Sequence, residues 1–156
     1  MPRDGGDRSE DAAKIEIGRH EREVLDRCPC RKYVPRGTFV VDGKIVGAAT
    51  DLGAKGDSVG DLLVFANKVY DAANKTQLGT DNGYCVRTVV GKRWECFWTL
   101  TLKAGQITVE GPFMDSGDSL LAVTGGTGKY AGARGSMKLH PRDPTPTAYD
   151  FTYDLL

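Results

Sequence analysis

Histidine is scarce in this chain: His20 and His140 are the only two in 156 residues. Neither lies near an obvious serine or cysteine partner, so a nucleophile–base arrangement has no visible base. Neither stands at metal-ligand spacing to Cys28 and Cys30 in "RCPCRK", so no metal centre is expected. An excess of either charge is also missing, because 21 Lys and Arg balance 21 Asp and Glu. A nucleic-acid partner usually leaves a basic excess, and none is expected here. No apolar run approaches the length of a membrane span, so no membrane partner is expected. The first residues, "MPRDGGDRSEDAAK", lack the apolar core of a secretory signal. The expectation is a cytoplasmic protein. Cysteine is sparse too, with four in all. Cys28 and Cys30 are unfavourably close for pairing with each other. Cys85 and Cys96 fall in strand-like runs and read as small buried hydrophobes, and without a secretory signal no disulfide is assumed.

Glycine, by contrast, is abundant, with 20 residues. The densest stretch is "LAVTGGTGKYAGARGSMKL", residues 121–139. It fails the phosphate-loop pattern, since Gly128-Lys129 is followed by Tyr130 and the position five before Gly128 is Val123. It fails the dinucleotide pattern as well, because Gly126 and Gly128 are followed by Gly132, one residue too far. The closing run "ARGSMKL" alternates small or apolar with polar residues, which is strand chemistry. The glycines therefore read as a tight connection between two strands.

Residues 1–12 are rich in charge and short of apolar side chains, the composition of a disordered start. Residues 13–27 are ambiguous between a strand and a short charged helix. From residue 37 onward nearly all signals are β. Asp42-Gly43, between "TFVV" and "KIVGAAT", reads as a hairpin turn. The organisation expected is an N-terminal extension over 1–43 and a β domain over 44–156. About eight strands at short spacing fit an all-β barrel or sandwich. Turn arithmetic assigns faces. A Gly91-Lys92 loop places Cys85, Arg87 and Val89 with Trp94, Cys96 and Trp98. An Ala104-Gly105 loop opposes Leu100 to Val109 and adds Ile107, Gly111 and Phe113. Thr88, Glu95, Thr99, Gln106, Thr108 and Glu110 form the opposite, mostly polar face. A slip of one residue would invert the assignment. Curled on itself, the sheet would gather Phe65, Trp94, Trp98, Phe113, Tyr149, Phe151 and Tyr153 near its axis, with Cys85 and Met137 beside them. Such an interior is either an ordinary core or a ligand cavity. Arg87 points into this interior, where an unpaired charge is expensive. It is either an anion anchor for an acidic head group or a residue that reaches the mouth or a carboxylate.

Three runs carry a family resemblance: "GDLLVFANKVYD" followed by "GYCVRT", then "EGPFMDSGDSLLAVTGG", and the closing "YDFTYDLL". In this order they resemble the allene oxide cyclase and dirigent barrel superfamily over residues 44–156. The resemblance implies an eight-stranded antiparallel β-barrel with an apolar cavity, often in an oligomer such as a dimer or trimer. It implies that Asn67 and Cys85 face the cavity and that Phe113 is the aromatic of the G-P-[FY] run. Plant allene oxide cyclases also use a Glu on the first barrel strand. Here "KIVGAATDL" has none, and Asp51 is the nearest carboxylate. A second branch, the bacterial spirotetramate and spirotetronate cyclases, uses this barrel for intramolecular [4+2] cycloaddition after an N-terminal segment thought to cap the substrate. That branch implies a linear polyene tetramate or tetronate as substrate and no cofactor, with Asn67 and Arg87 as the polar groups acting on it. It also implies that the segment around Ile15 to Leu25 is a lid. An allene oxide cyclase-like isomerase and a non-catalytic dirigent-like or lipid-binding barrel are the alternatives.

Overall fold

In the computed structural model the described residues are 37–42, 47–144 and 148–156, all within one compact unit spanning 33–156. The lid segment, Cys28, Cys30, His20 and Gly43 lie outside the described residues. Among the described residues nine strands form one antiparallel sheet: β1 (Gly37–Asp42), β2 (Gly47–Thr50), β3 (Leu62–Asp71), β4 (Gln77–Val89), β5 (Arg93–Leu102), β6 (Gly105–Met114), β7 (Ser119–Gly126), β8 (Gly135–Pro141) and β9 (Ala148–Leu155). The expected all-β class is what is found. Among the described residues no helix is long and apolar enough to cross a membrane.

From β3 to β9 each strand pairs with the next in sequence. β1 pairs along one edge with β9 and along the other with β3, so the strand order returns to its start. The sheet therefore begins before residue 44, inside the stretch expected to be extension. The hairpin expected at Asp42-Gly43 is also corrected. β1 and β2 pair successively with β3, at Val69–Asp71 and at Leu62–Phe65, and Asp42 faces Ala148 of β9. Apolar alternation on both sides of Asp42-Gly43 suits two segments on one partner strand as well as it suits a hairpin.

The two turn registers differ from the arithmetic, yet the faces agree with it. Val89 faces Arg93 across a three-residue loop, and a register irregularity between Arg87 and Val89 then brings Arg87 opposite Trp94 and Cys85 opposite Cys96. These two one-residue slips add to a shift of two, so the same side chains point inward. At the next turn Leu102 faces Gly105, which sets Leu100 opposite Ile107 and Trp98 opposite Val109. Relative to the expected register this is a shift of two, and the face is again unchanged. Trp98, Leu100, Ile107, Val109, Leu121, Met137, Phe151 and Tyr153 are buried in one core. Thr88, Glu95, Gln106 and Glu110 are exposed.

The glycine-rich stretch joins β7 to β8 through a single 3-10 turn, Gly128–Tyr130. Gly128 takes a φ of 60° and packs against the backbone of Ala104 and Gly105, where a Cβ has no room. Its role is to dock one connection on another.

Candidate active site

An apolar pocket of about 110 Å³ opens inside the curled sheet. Leu63, Phe65 and Asn67 of β3, Asp81 and Cys85 of β4, Trp98 of β5, Phe113 of β6, Leu139 of β8, and Tyr149 and Phe151 of β9 line it. The alternation of each strand delivers these side chains, two residues apart, to one face. Gly83 makes room for the rings. It lies in register between Phe65 and Trp98, and a Cβ there would collide with the Phe97 carbonyl oxygen and with Cβ of Trp98. With no side chain between them, the Phe65 and Trp98 rings meet edge to face at 5.9 Å. Trp98 packs on Phe151 at 5.5 Å, and Phe113 meets Tyr149 at 6.0 Å.

One ionisable carboxyl belongs to this apolar wall. Asp81 is fully buried and sits directly opposite Asn67 in the β3–β4 register. Burial pushes its carboxyl up to about 7, against the lowering influence of the Asn67 amide that faces it. Near neutral pH the group is thus both a usable acid and a usable base. Tyr153 lies close enough for its phenol to feel the Asp81 charge and the Trp98 indole. Burial pushes that phenol far up, so it stays neutral. Asp51, the carboxylate nearest in sequence to the family's first-strand Glu, is exposed and accepts from the Gly56 amide. The pocket's carboxyl comes from β4.

Several expected site residues land elsewhere. Arg87 points inward but is not among the pocket-lining residues, and of the alternatives expected for it the carboxylate pairing is the one seen. Its Nε donates to Asp57 at 2.6 Å and its Nη1 donates to both oxygens of Asp115 at 2.6 and 2.8 Å. The guanidinium stacks 4.0 Å above the Trp94 ring. A buried cation that must be paired has taken two carboxylates from the loops around 57 and 115, which ties those loops to the end of the sheet. Trp94 is accordingly the floor of this cluster. Met137 and Tyr153 are fully buried core residues behind the pocket. Cys85 does line the pocket, but its sulfur is joined to Cys96 in a disulfide. The expectation of free thiols fails because β4–β5 pairing sets the two residues directly opposite, with Cα atoms 4.0 Å apart. A disulfide is characteristic of oxidising compartments and weighs against the cytoplasmic expectation.

A model of the allene oxide cyclase family matches residues 46–153. The chain belongs to the allene oxide cyclase family. Solved structures extend the comparison. A pyocyanin demethylase is 27% identical, with a TM-score of 0.67 over 78% of this chain and 100% of that one. AbnU, an exo-specific intermolecular Diels-Alderase, is 17% identical, with a TM-score of 0.57 over 78% of this chain and 98% of that one. The pterocarpan synthase dirigent protein PsPTS1 is 13% identical, with a TM-score of 0.63 over 78% of this chain and 92% of that one. The last two share the fold. One family scaffold thus frames a pocket in which a single buried acid is surrounded by rings.

Proposed function

We propose that this chain is a cofactor-independent cyclase that folds a conjugated substrate in the aromatic pocket and closes a ring by intramolecular [4+2] cycloaddition. The observation that carries the proposal is Asp81, a buried carboxyl titrating near neutrality in an otherwise apolar, ring-lined pocket. Family membership and the pairing of β1 with both β9 and β3 support a closed barrel around that pocket. Such a reaction needs diene and dienophile held in a near-attack geometry, which shape supplies. Protonated Asp81 donates a hydrogen bond to the carbonyl that activates the dienophile, in a site with little water to compete. Asn67, directly opposite on β3, is the polar side chain beside the carboxyl. A pocket of about 110 Å³ is below the roughly 300–1,000 Å³ of drug-sized ligand sites. It encloses the reacting segment of a linear polyene tetramate or tetronate, with the rest outside. The protein works as a homo-oligomer on this reading.

A second reading comes from the match across the whole length of the pyocyanin demethylase. There the substrate is a small planar heteroaromatic, and ionised Asp81 acts as a base that takes a proton from its N-methyl group; the electron pair passes into the ring, water adds to the methylene carbon, and the C–N bond breaks to release formaldehyde and the two-electron-reduced ring. One assay separates the two. The full chain is incubated with a linear polyene tetramate and, in parallel, with pyocyanin, each beside Asp81→Asn. An isomer of unchanged mass from the first substrate supports cyclisation. Loss of a methyl group from the second supports demethylation. Turnover unchanged in Asp81→Asn removes the residue from either mechanism.

A further inference from the structure

We infer that the molecule bound beside Asp81 is a planar organic cation, or a conjugated molecule that gains positive charge as it reacts. The inference rests on the pocket being the substrate site and on the second of the two readings, in which Asp81 acts ionised; the cycloaddition reading, with a neutral polyene segment and protonated Asp81, predicts no preference for a cation. Phe65, Trp98, Phe113, Tyr149 and Phe151 give the pocket five aromatic rings. Ring faces carry the negative end of the quadrupole and attract a cation, more strongly where water is excluded. Among the described residues the lining holds no Lys, Arg or His, and Asp81 is its one carboxyl. The nearest inward-facing cation on β4, Arg87, is committed to Asp57 and Asp115. An anion entering the pocket would lose its hydration and meet a carboxyl and ring faces with no counter-charge. A neutral ring system would gain burial alone. A cation gains burial, the ring faces and the carboxylate.

The surroundings of Asp81 leave its charge to be set by the ligand. Asn67 faces it from β3 and Leu100 from β5, and neither ionises. Among the described residues Tyr153 on β9 is the titratable group that feels its charge, and it stays neutral. An adjacent cation favours the ionised carboxyl, so binding releases a proton. Affinity for a cation therefore rises as pH rises through 7 and then levels off, while affinity for a neutral ring system stays flat.

The test uses three two-ring probes of matched size: N-methylquinolinium, 1-methylnaphthalene and 1-naphthoate. Each is titrated by calorimetry into the full chain at pH 8 and pH 5.5, and into Asp81→Asn and Phe113→Ala. At pH 8 the cation should bind roughly tenfold or more tightly than its neutral counterpart, and the anion most weakly. At pH 5.5, and in Asp81→Asn, that preference should shrink toward parity. A neutral probe that matches the cation at pH 8 overturns the charge inference and leaves the pocket as the site. So does a preference that ignores both pH and the Asp81 substitution. If no probe binds, or Phe113→Ala changes nothing, the pocket is not the substrate site and both readings fall.

Discussion

Asp81 shows how a single residue can be costly to the fold and useful in the pocket. An unfolded chain releases the proton of an aspartate near pH 3.9, whereas the folded chain holds it to about 7. Between those values the native state binds more protons than the unfolded state, so stability falls as pH rises and levels off above 7. Asp81→Asn, nearly isosteric and without charge, should lack this slope. In urea unfolding, wild type should lose on the order of 2–3 kcal/mol relative to Asp81→Asn between pH 5 and pH 8. Parallel pH profiles for the two proteins would place the carboxyl in water. The residue was hidden in the sequence because it lies two positions ahead of the "GYCVRT" run, outside the stretch to which the turn arithmetic assigned faces. Counting back in twos from Cys85 through Gly83 reaches Asp81 on the inward face, so the signal existed once the strand was allowed to run on. Arg87 was legible only in part. Its inward direction came from alternation, but Asp57 and Asp115 lie in loops whose paths no periodicity reports.

At the scale of elements, β3, β4 and β5 bring Asn67, Asp81 and Trp98 to one pocket, and the close approach of β4 to β5 depends on Gly83. The inward face of these strands was legible because a shift of two residues leaves every side chain on its own side. The partners were not legible, since loop length and the irregularity at Arg87–Val89 are set by local backbone geometry. The Cys85–Cys96 pairing was missed for the same reason. Gly83→Ala tests the close approach directly. The added methyl meets the Phe97 carbonyl and the Trp98 side chain, so stability should fall by roughly 2 kcal/mol or more. The ordered near-ultraviolet dichroism of Trp98 should weaken with it. A gain in stability, as strand preference alone would give, would mean the rings do not meet over this residue.

The whole molecule owes its connectivity to β1, whose two edges join β9 on one side and β3 on the other. Everything from β3 to β9 is assembled from sequence neighbours, pairings that cost little loop entropy to form. The β1–β9 pairing instead brings Gly37 to Tyr153, from opposite ends of the fold. Time, then, is built into the architecture. The meander can zip hairpin by hairpin, and the joint at β1 is expected to form after the transition state. A proline at Val40, a position paired with both Asp150 and Tyr70, removes an amide there and should cost about 3 kcal/mol. In a chevron experiment that loss should appear in the unfolding limb, with the refolding rate nearly untouched. A slowed refolding limb would put the seam first. With the seam last, the protein's lifetime in the folded state is governed by a strand that contributes little to how fast it gets there.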